Sequence, residues 1–540
     1  MNGITVRPID PAEIQEIREL DRDAFAYNER GSDGAFHEVF ADNIRRSPYF
    51  IPQLDLVAVA QDGVTCLGHA IFSMLPMGDA GEHVVWLNSL AVRHAEQDDH
   101  AAKSYRYQRK GIGTALVAQG LDIARSLGYT GCMTCGHPDV YQRKMGFLDC
   151  RDLGIEKDDS VDEPYGALFA KELVPGGFDR TGKRLSFAYH DFSRVEDRNV
   201  DAALLSNVLA KLLGKSIVRA SWQTETLHGG TLGDVRLVMG IALAADGERP
   251  PYKVVWKTQK KWERQGDPGS WRREYDLYTS ALGAEFGDSL RWPTCYHAEM
   301  NEMEDEHQLW MEHIEGVCGL DLTGAMYERA AEELGRFQGR LYAQQPAFLR
   351  ELANLSGVGF VRDSYQRYRS WNVVYDYIRS ETCGIPRHLC GMLTGIDKNA
   401  EEILRRIEAL PVVLCHRDFW VAIIFHTDGG IVLIDWDTSG WGSLGEDLAS
   451  LIADEADVEH MVAYYQRCVP AYYRGFSAHA QTPPLSEHCV YELMLILFGY
   501  RLVEWYLYAE TEEERELQIR TLQRIYEIGE SASSKRGSSI

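Results

Sequence analysis

Two short β-branched runs, Val412–Cys415 and Ile431–Ile434, each end on ionisable residues, and this pairing restricts the fold more than any other stretch of the chain. His416, Arg417 and Asp418 follow the first run; Asp435 and Asp437 close the second, with Asp428-Gly429-Gly430 turning the chain between strands. Runs this short and apolar read as buried strands, so the acids must emerge together at the edge of a core. A carboxylate cluster so placed has the chemistry of phosphoryl transfer, which needs one carboxylate to orient an attacking hydroxyl and others to hold metal against the phosphates.

His416-Arg417-Asp418 opens the pattern H-R-D-x-x-x-x-N, but the last place holds Ile423. Taken with Ile434-Asp435-Trp436-Asp437, the segment resembles the aminoglycoside phosphotransferase and choline kinase superfamily, whose fold is that of the protein kinases. The resemblance implies that Asp418 is the catalytic base, that Asp435 is a ligand of Mg²⁺, and that position 423 should be a second ligand, which Ile423 cannot be. It also implies ATP or GTP as donor. Upstream, Tyr252–Lys257 is similar to the strand carrying a phosphate-pairing lysine. Lys257 is the candidate there and Lys253 the weaker one, and Glu274 on the next helix fits the acid that fixes that lysine. His228–Asp234, rich in glycine, reads either as a phosphate cover or as a plain hairpin turn. Gln308–Ile314 reads as the strand and hinge that meet adenine. Glu446-Asp447 resembles the segment that braces the catalytic loop.

Beyond Ile314 the spacing turns helical. Tyr327–Tyr342, Ser364–Arg379, Ala400–Leu410, Val458–Phe476 and Glu487–Ala509 carry apolar residues at 3.6-type spacing, with Trp371 among their aromatics. Glu512–Arg520 reads as a charged helix and Ser531–Ile540 as a frayed tail. Nearer the start of this half, Ile217–Leu227 and Val235–Ala244 read as strands.

The first part of the chain has a different grammar. Strand-like Ile4–Pro8 leads into a helix opened by Asp10-Pro11-Ala12-Glu13. Leu56–Val59 and Gly68–Met74 pair around a turn at Asp62-Gly63, and Val84–Val92 forms a longer strand. Gln108-Arg109-Lys110-Gly111-Ile112-Gly113-Thr114 then precedes an apolar helix, so a glycine-bearing turn offers unpaired backbone N–H groups to an anion. The order of Val84–Val92, this turn, the strand Gly131–Cys135 and His137–Phe147 resembles the GCN5-related N-acetyltransferases (GNAT) over about the first 188 residues. That resemblance implies acetyl-CoA held by Gln108–Thr114 and by the strand residues Leu90 and Val92, with Tyr141 as the acid that protonates the leaving thiolate. Arg93–Arg106 departs from it as a long polar stretch, expected as a loop or substrate lip. Tyr165–Phe178 resembles the last strand and its exit, and Asp179–Ser193, Arg180 included, reads as linker.

The expected fold class is therefore α/β (α+β): a GNAT mixed-sheet domain over 1–188, then a two-lobed protein-kinase-like domain over 189–540, with an N-lobe to about 315 and a helical C-lobe to about 530. This order resembles the bifunctional aminoglycoside-modifying enzymes. The resemblance leaves open a metabolic amine- and alcohol-modifying pair, or an acetyltransferase joined to a non-catalytic kinase-like module. With 56 Lys+Arg against 81 Asp+Glu the net charge is −25, which argues against nucleic acid and suits a cationic small-molecule acceptor. The 11 cysteines fall mostly within apolar segments and read as reduced core residues of a cytoplasmic protein. Cys132 and Cys135, spaced C-x-x-C, sit in a strand with no second pair to complete a metal site. No run of 18 apolar residues suggests a membrane span.

Overall fold

The computed structural model describes the chain apart from residues 1–3, 29–33, 78–82, 96–105, 180, 188–198, 228–232, 263–266, 288, 371–373, 455–456, 484–485 and 538–540. Most of the polar stretch 93–106, Arg180, Trp371 and the glycine turn 228–232 thus lie outside the described residues. Two compact units emerge: Met1–Glu225 with Val238–Lys253, and Thr226–Leu237 with Val254–Ile540.

In the first unit the strands are β1 (Ile4–Pro8), β2 (Phe50–Ala60), β3 (Cys66–Leu75), β4 (Val84–Val92), β5 (Gly131–Cys135), β6 (Leu148–Asp149), β7 (Glu156–Lys157), β8 (Leu168–Glu172) and β9 (Arg184–Leu185). Seven form one sheet in the order β1-β2-β3-β4-β5-β8-β6, and β7 pairs with β9 in a separate ribbon. The helices are α1 (Ile14–Asn28), α2 (Ala35–Arg46), α3 (Ile112–Ser126) and α4 (Pro138–Met145). Asp10 caps the turn into α1: its side chain accepts from Ala12 N at 2.9 Å while Glu13 accepts from Asp10 N. Period-two alternation decides what each face buries. On β2, Leu56 and Ala58 join Leu116, Val117 and Leu121 of α3, whereas Val57 and Val59 join Ile17, Leu20 and Ala24 of α1. A sheet covered on both sides explains why β3 is buried along its whole length.

One polar network crosses this core. His69 of β3 is fully buried, with Nδ1 2.8 Å from Asp21 of α1 and Nε2 2.7 Å from Asp55 of β2. Arg45 of α2 donates to the same Asp55 and to Asp42. Burial alone would lower the imidazole pKa, but the two carboxylates outweigh it and raise it to about 9.

After α5 (Ala202–Leu213) come β10 (Ile217–Ala220), β11 (Gln223–Thr226), β12 (Asp234–Ala244) and β13 (Pro251–Lys260). The strand expected over 217–227 is thus two, with Ser221 and Trp222 between them; Ser221 O accepts from the Tyr252 hydroxyl at 2.7 Å. β10 pairs antiparallel with β12, and Ile241 of β12 belongs to the same apolar cluster as α3.

The second unit continues with α6 (Ser270–Tyr278), β14 (Leu290–Arg291), β15 (Cys295–Asn301) and β16 (Glu306–Glu312). β13 pairs antiparallel with β16, placing Lys257 opposite Leu309, and β16 pairs with β15. Then follow α7 (Gly324–Gln344), α8 (Phe360–Ser370), α9 (Val374–Arg379), α10 (Arg387–Glu408), β17 (Val412–Cys415), β18 (Ile424–Thr427), β19 (Gly430–Leu433), β20 (Gly440–Ser443), α11 (Glu446–Ala453), α12 (Met461–Ser477), α13 (Ser486–Tyr508) and α14 (Glu512–Gly537). Two expectations change here. α10 begins well before Ala400, because Leu389, Cys390, Leu393 and Ile396 keep a buried face despite Gly391 and Gly395. α14 extends through Ser531, with Leu522, Ile525 and Ile528 buried. No described helix is long and apolar enough to cross a membrane.

Candidate active sites

β17 pairs with β20, and β18 with β19, so the two acid-bearing segments leave neighbouring ladders side by side. Lys257 of β13 is nearly buried, while Lys253, two pleats away, is exposed. Its Nζ lies 2.5 Å from Glu274 Oε2 and 2.7 Å from Asp435 Oδ1. Burial works against the ammonium, yet Asp435, Glu274 and Asp437 together raise its pKa. Glu274 also accepts from the Trp436 N–H at 3.3 Å, tying α6 to the segment that carries Asp435. Asp435 (φ 63°) and Arg417 (φ 67°) both sit in the left-handed region that side chains other than glycine seldom adopt. Such strain persists where surrounding bonds over-determine the backbone.

At Arg417 those bonds are visible. Asp447, in the first turn of α11, accepts from His416 N at 2.9 Å and Arg417 N at 2.8 Å. Gln338 of α7 donates to the same carboxylate at 2.9 Å and is itself held by the Tyr472 hydroxyl. The Arg417 guanidinium turns away from the acids, to Glu446 Oε1 at 2.9 Å and to the carbonyls of Gly357 and Trp441, and it faces the Phe360 ring. His416 is buried against Trp436 with Nε2 3.0 Å from Ile434 O, and burial pushes its pKa down to about 4, so the ring is neutral. Asp418 is left half-buried beside the acids. Burial first, then the charges of Asp435, Asp454 and Asp437, push it up to about 6.

Carboxylates that raise the pKa of Asp418 in this way suit a cation. Mg²⁺ is satisfied by one or two carboxylate ligands, with phosphate oxygens and water completing its octahedron, so Asp435 and its neighbours fit it. Ile423 contributes nothing to such a set: its side chain is 5% exposed and belongs to the apolar core of this unit. Among the described residues no three His, Cys, Asp or Glu side chains converge as a ready metal cage.

In the first unit, β4 pairs with β5 only as far as Leu87↔Thr134, where Thr134 Oγ1 donates to Leu87 O at 3.0 Å. Beyond that rung β4 runs on to Val92 without β5. At the same point its register with β3 slips, Ile71 facing Ser89 and Phe72 facing Leu87, so Asn88 is an extra residue. The bulge exchanges the two faces. Val85 and Leu87 face the α3 side before it; Leu90 and Val92 do so after it. Built onto Gly113, a Cβ would lie 3.5 Å from Leu90 Cδ2 and 3.6 Å from Val92 Cγ2. The turn Gln108–Thr114 therefore meets Leu90 and Val92 where β4 and β5 part.

Gly111 (φ 87°) is the N-cap of α3, and no side chain caps the helix, so its first N–H groups stay available to an anion. Arg109 and Lys110 are exposed beside them, Gln108 and Thr114 are half-buried, and the Ile112 side chain is core. Tyr141 of α4 stacks on Phe169, with ring centroids 6.2 Å apart, and lies against Gly136, just past the end of β5. Burial pushes its phenol up to about 12.

Residues 14–147 match the model of the acetyltransferase (GNAT) family, and residues 272–478 match that of the phosphotransferase enzyme family. The chain joins a GNAT acetyltransferase domain to a phosphotransferase-family domain. Solved structures similar to parts of it include a GNAT family N-acetyltransferase from Escherichia coli in complex with CoA, 23% identical over 34% of this chain and 89% of that one, TM-score 0.27. Another is a GNAT family acetyltransferase from Brucella melitensis in complex with acetyl-CoA, 27% identical over 31% and 94%, TM-score 0.22. A third is choline kinase from Cryptosporidium parvum, 12% identical over 58% and 90%, TM-score 0.39. No curated protein matches the chain.

The phosphotransferase domain contains supports that the sequence did not announce. Arg273, beside Glu274, is wholly buried and donates to Asp437 O at 2.7 Å, to Asn354 O at 2.6 Å and to Asp267. Thr438 Oγ1 donates to His416 O at 2.8 Å, joining the two acid-bearing loops. In the GNAT domain the bulge at Asn88 went unread; its Nδ2 donates to Ser73 Oγ at 2.9 Å.

Proposed function

We propose that this chain is a bifunctional enzyme that modifies small molecules, transferring acetyl from acetyl-CoA to an amine in its first domain (1–188) and binding ATP or GTP with Mg²⁺ in its second (189–540). Support for the first activity is the coincidence of an uncapped α3, a turn placed by Gly111, and a bulged β4 that leaves β5 beside that turn. Pyrophosphate suits the helix N-terminus. Backbone groups of β4 beyond Leu87 would polarise the thioester carbonyl, the amine would attack as the neutral base, and Tyr141, which keeps its proton at neutral pH, would protonate the departing thiolate.

In the second domain the observation that carries most weight is a contrast. Lys257 pairs with Glu274 and Asp435, and Asp418 feels the charge of Asp435, while position 423 is apolar and buried. Lys257 and Glu274 would hold the nucleotide phosphates, Asp435 and the neighbouring acids would hold Mg²⁺, and Asp418 would accept the proton of an alcohol. Bound there, the metal neutralises charge on the transferred phosphate. With one ligand missing, phosphate transfer is slow or absent while nucleotide still binds. That favours a second reading, in which this domain is a nucleotide-binding module that serves the acetyltransferase.

The acceptor is a cationic amine or alcohol, aminoglycosides among them, a choice motivated by the net charge of −25, and the enzyme works in the cytoplasm. The test is a mass-spectrometric screen of amine and alcohol acceptors with acetyl-CoA and with ATP or GTP. Acetylated amines are expected; phosphorylated products at ordinary kinase rates would overturn the slow-transfer assignment, and no acetylated product from any amine would overturn the first activity.

A further inference from the structure

We propose that Cys383 and Cys390 form a peroxide-responsive dithiol in the second domain. Their Sγ atoms lie 3.7 Å apart. Both thiols point at one carbonyl, Ile385 O, at 3.9 Å from Cys383 and 3.6 Å from Cys390. The two differ in access: Cys390 is buried in the first turns of α10, whereas Cys383 is half-buried in the connection from α9, with exposed Glu381, Thr382 and Gly384 around it. The other nine cysteines are also free thiols.

That asymmetry assigns the roles. Hydrogen peroxide reaches Cys383, whose thiolate takes one peroxide oxygen to become a sulfenic acid as the other leaves as water. The Cys390 thiol then attacks the Cys383 sulfur, forming the disulfide and releasing a second water, so two thiols lose two electrons and peroxide gains them. Closing the gap to a bond length of about 2.05 Å needs rotation of Cys383, which lies outside any helix, rather than displacement of α10. The buried thiol is held back from direct oxidation by burial, which pushes its pKa up to about 11. Reversible thiol pairs of this kind suit an otherwise reduced protein. The connection they would lock also carries Gly384, whose N–H donates to the Tyr377 hydroxyl oxygen at 3.0 Å and whose Cα lies against Tyr506 of α13. A link would therefore fix the path between α9 and α10.

The test treats the folded full chain with hydrogen peroxide, blocks remaining thiols, and maps peptides without reduction. The expected product joins the peptides containing Cys383 and Cys390, is lighter than their sum by two hydrogen atoms, and disappears on adding dithiothreitol. Cys390→Ser should instead accumulate a sulfenic acid at Cys383 that a dimedone probe traps, and Cys383→Ser should give neither signal. Circular dichroism of both variants separates loss of fold from loss of chemistry. The proposal is overturned if the native chain never yields the linked peptide, if the link forms only after denaturation, or if Cys383 passes to sulfinic acid with Cys390 still free.

Discussion

Lys257 Nζ stands 2.7 Å from Asp435 Oδ1, so the lysine proposed for phosphate and the aspartate proposed for metal neutralise each other. Glu274 completes the cluster from α6 and is 1% exposed.

Lys257→Met leaves Glu274 charged and buried without its cation. Removing one partner of a buried pair costs about 3–5 kcal/mol, to be read by urea unfolding, and ATP binding should be lost in calorimetry. Adding Glu274→Gln to that variant should recover part of the stability but none of the binding. An unchanged unfolding midpoint in Lys257→Met would contradict the ion pair.

Ile423→Asn sets a gain against a loss. The amide would supply the oxygen ligand that the resemblance expects at this position, and phosphate transfer to an alcohol acceptor should rise by on the order of 10²-fold, the penalty typical of a misplaced reacting group. The same amide enters an apolar core and should cost about 1–3 kcal/mol where it finds no partner. Turnover and melting temperature, measured together with ATP and GTP, decide. A parent that already turns over at about 1–100 s⁻¹, with nothing added by Asn, would rule out the missing-ligand account.

Asp418 has a raised pKa, so its contribution to stability is full below the ordinary carboxylate value and is lost as pH rises through about 6. Asp418→Asn removes that loss. The variant should gain on the parent between pH 4 and 6 by up to about 3 kcal/mol and track it above. For the reaction the sign is opposite, because a base must be unprotonated: transfer by Ile423→Asn should climb with pH through an apparent pKa below that of the metal-free site, since bound Mg²⁺ would offset the charges of Asp435 and Asp437 that raise Asp418. A rate that does not fall as the pH is lowered into the ordinary carboxylate range would remove Asp418 from the role of base.

His69 gives the GNAT domain a pH limit on the other side. Asp21 and Asp55 hold its imidazolium from α1 and β2, and Arg45, itself bonded to Asp55 and Asp42, lies 3.4 Å from Nε2. Stability from this raised pKa is full below about 6.5 and is lost as pH rises through about 9. Relative to His69→Gln, the parent should lose on the order of 3 kcal/mol of its advantage between pH 7 and 10, followed by thermal melts across that range. An advantage independent of pH would mean that His69 is not charged.

The two glycines of the α3 turn should behave differently. Gly111 sits at φ 87°, so Gly111→Ala strains the turn by about 1 kcal/mol and weakens acetyl-CoA binding. Gly113 has room for a Cβ at ordinary contact distances, so Gly113→Ala should leave affinity nearly unchanged. Asp at either position sets a negative charge in the proposed path of the pyrophosphate. Calorimetry with acetyl-CoA reads all four variants, and equal affinity throughout would place the cofactor elsewhere.

What could be read from sequence follows from how far each signal reaches along the chain. His416, Asp418 and Asp435 stand next to apolar runs that mark their own strands, and Gln108–Thr114 stands next to the helix it opens, so local pattern was enough to set them at the ends of those elements. The brace on the catalytic loop was half-legible: Asp447 lies in a recognisable segment, but Gln338, which holds it, is 109 residues away and nothing local marks it. Nothing local marks Arg273 as fully buried: two of its acceptors, Asn354 O and Asp437 O, lie 81 and 164 residues along the chain, and the third is Asp267, just before its own helix. α2 and the first half of α10 were missed, the latter because two glycines interrupt the composition while leaving the buried stripe intact.

Asn88 left no trace at all, since an inserted residue changes neither composition nor propensity. Yet it sets the parity of β4. Strand side chains count in twos, so one residue more or fewer reverses every position downstream. Paired without the bulge, the same sequence would turn Ser89 and Ala91 toward Gly113 and send Leu90 and Val92 to the opposite side; the bulge absorbs Asn88 and keeps Leu90 and Val92 on the α3 side. The surface proposed to face the cofactor is thus specified by a count, and a one-residue frameshift of side chains would erase it more completely than any single substitution within it.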